Sequence, residues 1–433
     1  MSSHQTRFLF ATLVCLVAAA PGFCSNIIAT SSSGLIEIDG NNGDNSVEVF
    51  FNTKSIVVRG YAGTTINGQS AQYFSPTGIA AIHINLKSGR DTFYVHDLQI
   101  EELLLEHEFR SGEAFVSNCK ITNFGAIMGA GDDSVQVEDC EGDFLFVGDS
   151  PTGFLMPTSL DPTLSKSRVH LNQCRFRCAD LQAELVSVDG FLGAIRAMAT
   201  KATIFNVDTT WGDVGLYCPI CTGVSPEPSS VWLTADRDSA KTDFTLWNVF
   251  TRNIEVATTG TLFNRTSEDD FLRLFAVQSE TLYVTTGKGT DYAMLVQCDL
   301  ADQSVIDLGA SRDGNNYGYF SDVDCDRDLE VFGGDQVDQF HFQGGLFKRD
   351  LVVDTDNGSD VVKLNSVEIG DYLDVSLGDG NDSVKLCGVK LGHETTVDGG
   401  RGVDDAEMDA ATVTYEVETI SVESHNLMPF FNN

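Results

Sequence analysis

Basic residues are scarce in this chain. Its 433 residues include 27 Lys and Arg against 63 Asp and Glu, a formal net charge of −36. Nucleic acid and anionic membrane surfaces repel such a polyanion, so charge alone argues against both as partners. Proline is also scarce, at 9 residues, so little interrupts long hydrogen-bonded ladders. Beyond residues 8–20 there is no long apolar run, and that one is too short to span a bilayer, which argues against membrane insertion. Amphipathic helical periodicity is almost missing. Its best instance, "IEELLLEHEF" at 100–109, falls where strands belong in the pattern described below and is read as strand. Neither G-x-S-x-G, H-E-x-x-H nor a phosphate loop occurs, and the 8 His are scattered, so the commonest hydrolase, zinc-protease and nucleotide-binding sites are excluded.

What is present begins with Arg7, the apolar run "FLFATLVCLVAAA" and small residues around Pro21 and Gly22, the parts of a secretory signal peptide over residues 1–24. The mature chain is therefore expected to be secreted or displayed at the cell surface. With 42% hydrophobic residues it has ample material for a core.

Near the C-terminus a pattern repeats about every 22 residues. The turn aspartates Asp338, Asp360, Asp382 and Asp404 mark it, in "GGDQVDQFHF", "TDNGSDVVKL", "GDGNDSVKL" and "GGRGVDDAEM". Counting back nine, seven and five residues from the Asp gives apolar positions such as Leu373, Val375 and Leu377. Counting forward two and four gives Val384 and Leu386, and forward seven and nine gives Val389 and Leu391. Each trio alternates with polar residues, the mark of a strand with one buried face. The same offsets recover Ile82, Ile84 and Leu86 far upstream, so the register spans most of the chain.

Three short strands per repeat cannot bury their apolar faces alone and must stack. The expected fold is all-β: a right-handed parallel β-helix of about 22 residues per coil with three short strands per coil. Residues 80–424 would supply about 15 coils, or roughly 70 Å of rod. Residues 25–79 read as an N-terminal β cap and 425–433 as a tail. Excursions at 148–166 and 209–230 look like loops leaving the coil.

The turns "MGAGDDSV", "LGDGNDSV" and "SGRDTF" resemble those of repeat-rich secreted or surface bacterial proteins with right-handed parallel β-helices. More distantly they resemble the calcium-binding nonapeptide G-G-x-G-x-D-x-U-x. That second resemblance implies calcium at Asp338, Asp360, Asp382 and Asp404. The chain departs from it in having a period of 22 rather than 18 and one such turn per coil. The alternative is that each Asp caps its own turn and points its second oxygen at water.

Other polar clusters receive plainer readings. "SDVDCDRDLE" at 321–330 puts Asp322, Asp324, Asp326, Asp328 and Glu330 on one side of an extended segment, a solvated outer face. Cys140 and Cys298 fall in the core-facing column of Val367 and Val389, and Cys119 and Cys174 have similar contexts. They read as core residues. A Cys119–Cys140 disulfide and a zinc site from "CRFRC" (174–178) and "CPIC" (218–221) are the other readings. Asp269, Asp270 and Arg252 are the residues that an exposed polysaccharide-cleaving cleft would use. The functional expectation is a non-catalytic structural or adhesive protein contacting cell-surface or extracellular matrix components. A carbohydrate-active enzyme and a glycan- or protein-binding solenoid are the alternatives.

Overall fold

The computed structural model describes residues 25–109, 111–148, 167–199, 201–209, 230–235, 242–258, 269–309, 314–409, 411–412, 416–420 and 424–427. The segment read as a signal peptide lies outside them, as do most of both loop excursions and Cys218 and Cys221. Among the described residues every regular element is a strand, and "IEELLLEHEF" lies within the strand Gln99–Phe109.

Most of the strands pair into three parallel ladders in which each strand bonds its counterpart from the next repeat, and a further short parallel pair joins Asp379–Gly380 to Arg401–Gly402. The first ladder runs from Ser46–Phe51 through Thr92–His96, Glu113–Ser117 and Ser134–Glu138 to Asp405–Met408 and Ser424–Leu427. The second is short-stranded, as in Glu368–Ile369 against Lys390–Leu391. The third runs from Leu35–Asp39 through Ala81–Asn85 to Glu394–Asp398 and Glu416–Ile420. Register is strict in the C-terminal repeats: Gln339, Val361, Ser383 and Asp405 stand in one column. Among the described strands it shifts between Arg175 and Cys178.

Antiparallel pairs join residues 28–32 to 35–39, 47–51 to 56–60, and 56–59 to 71–74. All lie in the segment expected to be a cap, yet its strands Leu35–Asp39 and Ser46–Phe51 already take part in the parallel ladders. At the other end, Ser424–Leu427 carries the first ladder into the expected tail.

Alternation decides what is buried. Leu373, Val375, Leu377, Val384, Leu386, Val389 and Leu391 are all buried, as their offsets from the turn Asp require, and so are Ile82, Ile84 and Leu86. Each fully buried aliphatic or aromatic side chain contributes about 1.5–3 kcal/mol, so a continuous apolar interior dominates stability. Volumes are matched across repeats. Phe320 stacks on Phe342 with centroids 4.5 Å apart, and Gly318 leaves room for Phe320 and Phe340, either of which a Cβ there would meet at 2.7 Å.

The turn from the first to the second ladder is a single left-handed residue. Asp97, Asn118, Asp139, Gln173, Asn206, Asn248, Ala276, Gln297, Asp322 and Ser366 all have φ between 49° and 56°. Gly344 and Gly388 take the same place with φ of 68° and 62°. Asn and Asp tolerate this conformation better than other non-glycine residues, which explains their frequency there.

Candidate functional site

The residue just before a first-ladder strand points inward in most of the described repeats. Asp338, Phe340 and Phe342 share one phase of the alternation, so the Asp heads the same buried face as the two phenylalanines. Stacked in successive repeats, these residues form a polar column along one edge of the apolar interior. Asn45, Asp91, Asp133, Thr242, Asp270, Asp291, Asn316, Asp338, Asp360, Asp382 and Asp404 all belong to it, and all are buried.

One bond recurs along the column. The Asp338 N–H donates to Asp360 Oδ1 at 2.8 Å, Asp360 N–H to Asp382 Oδ1 at 2.8 Å, and Asp382 N–H to Asp404 Oδ1 at 3.0 Å. Upstream, Asn316 N–H donates to Asp338 Oδ1 at 2.8 Å and Asp270 N–H to Asp291 Oδ1 at 2.9 Å. Each side chain thus caps the backbone of the preceding repeat, satisfying an amide that a tight turn leaves without a strand partner. The second oxygens fare unequally. Asp338 Oδ2 accepts from Gly334 N–H at 2.6 Å, whereas Oδ2 of Asp291, Asp360 and Asp382 is buried with no hydrogen-bond partner.

Burial makes the charged form costly. It pushes the Asp360 carboxyl up to about 8, helped by the charges of Asp338 and Asp382 and opposed by the Asp338 amide and Thr355. Asp338 and Asp291 are raised to about 7 and Asp382 to about 6, burial again being the largest cause.

A histidine enters the column near its start. Gly112 stands where a carboxylate would, its N–H donating to Asp133 Oδ1 at 2.6 Å. His107 fills the space from the third ladder, with Nε2 3.2 Å from Asp91 Oδ2 and Nδ1 3.6 Å from Asp133 Oδ1. Burial pulls its pKa down, but the hydrogen bond to Asp91, the charges of Asp133 and Asp91 and the Gly89 carbonyl outweigh it, and the net shift is upward.

The four aspartates proposed from sequence as calcium ligands are therefore brought together, in a setting different from either role considered for them. They are sealed from water rather than facing it, and each caps a neighbouring repeat rather than its own turn, although Asp338 does both. Calcium requires six to eight oxygens. Here each Oδ1 is committed to an amide, and among the described residues no group of three or more His, Cys, Asp or Glu is arranged to hold a metal ion. Parity was the signal in the sequence: an Asp two residues before an inward Phe or Val must itself point inward.

The remaining candidates separate. Asp270 belongs to the buried column, accepting from Thr242 Oγ1 and Thr258 Oγ1, each at 2.6 Å. Asp269 accepts the Thr290 N–H at 3.1 Å, and Arg252 pairs with Glu280 at 3.7 Å. Each of the three thus has a partner outside the trio. Cys119, Cys140, Cys174 and Cys298 are buried free thiols, the first three donating to the carbonyls of Ser117, Glu138 and Asn172 at 3.2–3.3 Å. The core reading holds for them, and Cys178 is buried as well. Asp324 and Asp326 are exposed, and Asp326 is held by Lys348 at 2.5 Å, as a solvated face requires.

The first ladder also presents aromatic residues outward. Phe271, Tyr292 and Tyr317 stack with centroids 4.5 and 5.0 Å apart, and Trp247, 52% exposed, lies 5.3 Å from Phe275. No protein-family model matches this chain, and no curated protein or solved structure does either.

Proposed function

We propose that the chain is a right-handed parallel β-helix with a non-catalytic structural or adhesive role, secreted or held at the cell surface. The observation that carries this reading is the column itself. Buried carboxylates, the groups a catalytic site would use, are spent on capping the backbone of neighbouring repeats. The three parallel ladders support the helix, since strands that pair only with their counterparts one repeat away are the pattern a stacked coil produces. Export rests on Arg7 and the apolar run at 8–20.

Binding to glycans or proteins is a second reading, favoured by the outward aromatic residues around Trp247 and Tyr317. Stacked rings already use their faces on each other, so their first effect is to stabilise cross-strand pairs by about 0.5–1.5 kcal/mol each.

Solution scattering on the exported chain tests the architecture: about 15 coils should give a rod roughly 70 Å long. Incubation with neutral and acidic polysaccharides tests the role. No release of reducing or unsaturated sugars is expected, and sustained release would establish the carbohydrate-active reading instead.

A further inference from the structure

Among the described residues, no histidine enters the column at Asp338, Asp360 or Asp382 as His107 does upstream. At Asp338, Asp360 and Asp382 the groups facing the carboxyl are amides, hydroxyls and other carboxylates: Asn316 and Asp356 at Asp338, Thr355 at Asp360, and Asp404 at Asp382. The basic residues of these strands, Lys363 and Lys385, stand in the outward phase, where Lys385 holds Glu407 at 2.6 Å. His341 is outward too, and burial lowers its pKa. On the turn side, Arg401 is exposed and lies 3.8 Å from Asp379. Asp338, Asp360 and Asp382 therefore stack one repeat apart with no basic group among the causes that act on their carboxyls. The second oxygens of Asp360 and Asp382 are sealed and without a hydrogen bond.

We propose that protons hold this column together, so that Asp360 and its neighbours are carboxylic acids in the folded state and the C-terminal repeats loosen when those protons leave. A protonated Oδ2 turns an orphaned acceptor into a donor. Asp382 and Asp404 lie within side-chain hydrogen-bonding reach of one another, so a carboxyl on one can donate to a carboxylate on the other. Loss of each proton to solvent leaves a buried anion facing another one repeat away. The column already contains a neutral analogue: Asn316 accepts the Asp291 N–H through Oδ1 at 3.2 Å and carries an amide where Asp would carry an acid.

The direction of the pH effect follows from linkage. The folded values lie above the ordinary value of 3.8, so the folded state holds more protons than the unfolded one between 3.8 and about 8. Stability from these groups is complete below about 4 and is lost as pH rises through 6 to 8. Each such carboxyl weights the folding equilibrium roughly tenfold per pH unit within that window.

Amide hydrogen exchange on the intact chain at pH 5, 7 and 9, corrected for intrinsic rates, tests this. Protection over residues 338–404 should fall steeply between pH 5 and 9 relative to residues 169–171, where the column residue is Ser167. The double variant Asp360→Asn, Asp382→Asn keeps both acceptor oxygens and should flatten that fall. Infrared spectroscopy reads the protons directly, whatever the variant does to folding: a protonated-carboxyl band is expected in the wild-type protein at pH 6, gone at pH 9 and weaker in the variant. Absence of that band at pH 6, or an equal loss of protection in wild type and variant, would overturn the proposal. So would restoration of protection at pH 9 by calcium but not magnesium, which would make the column a metal site.

Discussion

At the scale of the residue, His107 and Asp360 are two answers to one problem. Near the N-terminus a histidine whose pKa is raised reaches in between buried aspartates from another ladder, which Gly112 permits by having no side chain. Its missing Cβ would stand 3.2 Å from His107 Nδ1. Removing one partner of a buried ion pair costs about 3–5 kcal/mol, because the other charge stays buried and unpaired. His107→Gln should therefore destabilise the protein by that order at pH 6, measured by denaturant unfolding. His107 has a folded-state pKa raised above its unfolded value. Its contribution is complete below the unfolded value and is lost as pH rises through the folded one, so wild type and His107→Gln should converge in alkali. A constant difference up to pH 10 would show that His107 acts by packing alone.

At the scale of the element, strands were legible in the sequence and corners were not. Period-two alternation identifies buried positions because one slip would expose the whole set, and Leu373, Val375 and Leu377 follow it without exception. The Asp column obeys the same parity, but an acidic residue beside Gly and Asn reads as exposed turn, and only the neighbouring repeat shows what covers it. The left-handed corner leaves a fainter trace, the Asn, Asp or Gln before Cys in "SNC", "EDC" and "NQC". Its cost can be isolated at Gly388, where φ is 62° and an added Cβ meets nothing closer than Ser366 Oγ at 3.8 Å. Gly388→Ala should cost about 1–2 kcal/mol from backbone conformation alone. The reverse change, Ala276→Gly, relieves the same strain at a φ of 49° but frees the unfolded chain, and so should gain no more than about 1 kcal/mol. Thermal melts of both variants measure this, and an unaffected Gly388→Ala would remove the corner as a constraint on the fold.

At the scale of the whole molecule, charge is the unbalanced quantity. Acidic residues outnumber basic ones by 36, and where they fall on strands that repeat every few ångströms, like charges stand in columns. Asp299 registers directly with Asp324, and Asp374 has its pKa raised by burial and then by the charges of Asp354 and Asp398. Favourable pairs exist, such as Lys120–Glu141 at 2.8 Å and Lys390–Glu368 at 3.3 Å, but exposed pairs are worth only about 0–1 kcal/mol each. Salt screens attraction and repulsion alike, and here repulsion is in excess. As the screening length shrinks from about 30 Å at 0.01 M to about 3 Å at 1 M, the net effect should be stabilising. The melting temperature at pH 7 is therefore expected to rise with sodium chloride across that range. Calcium and magnesium chlorides, compared at matched ionic strength, should act alike if screening is the whole effect. A melting temperature that falls with salt would mean that the surface pairs outweigh the surplus, and that the acidic columns are spaced by the fold rather than opposed to it.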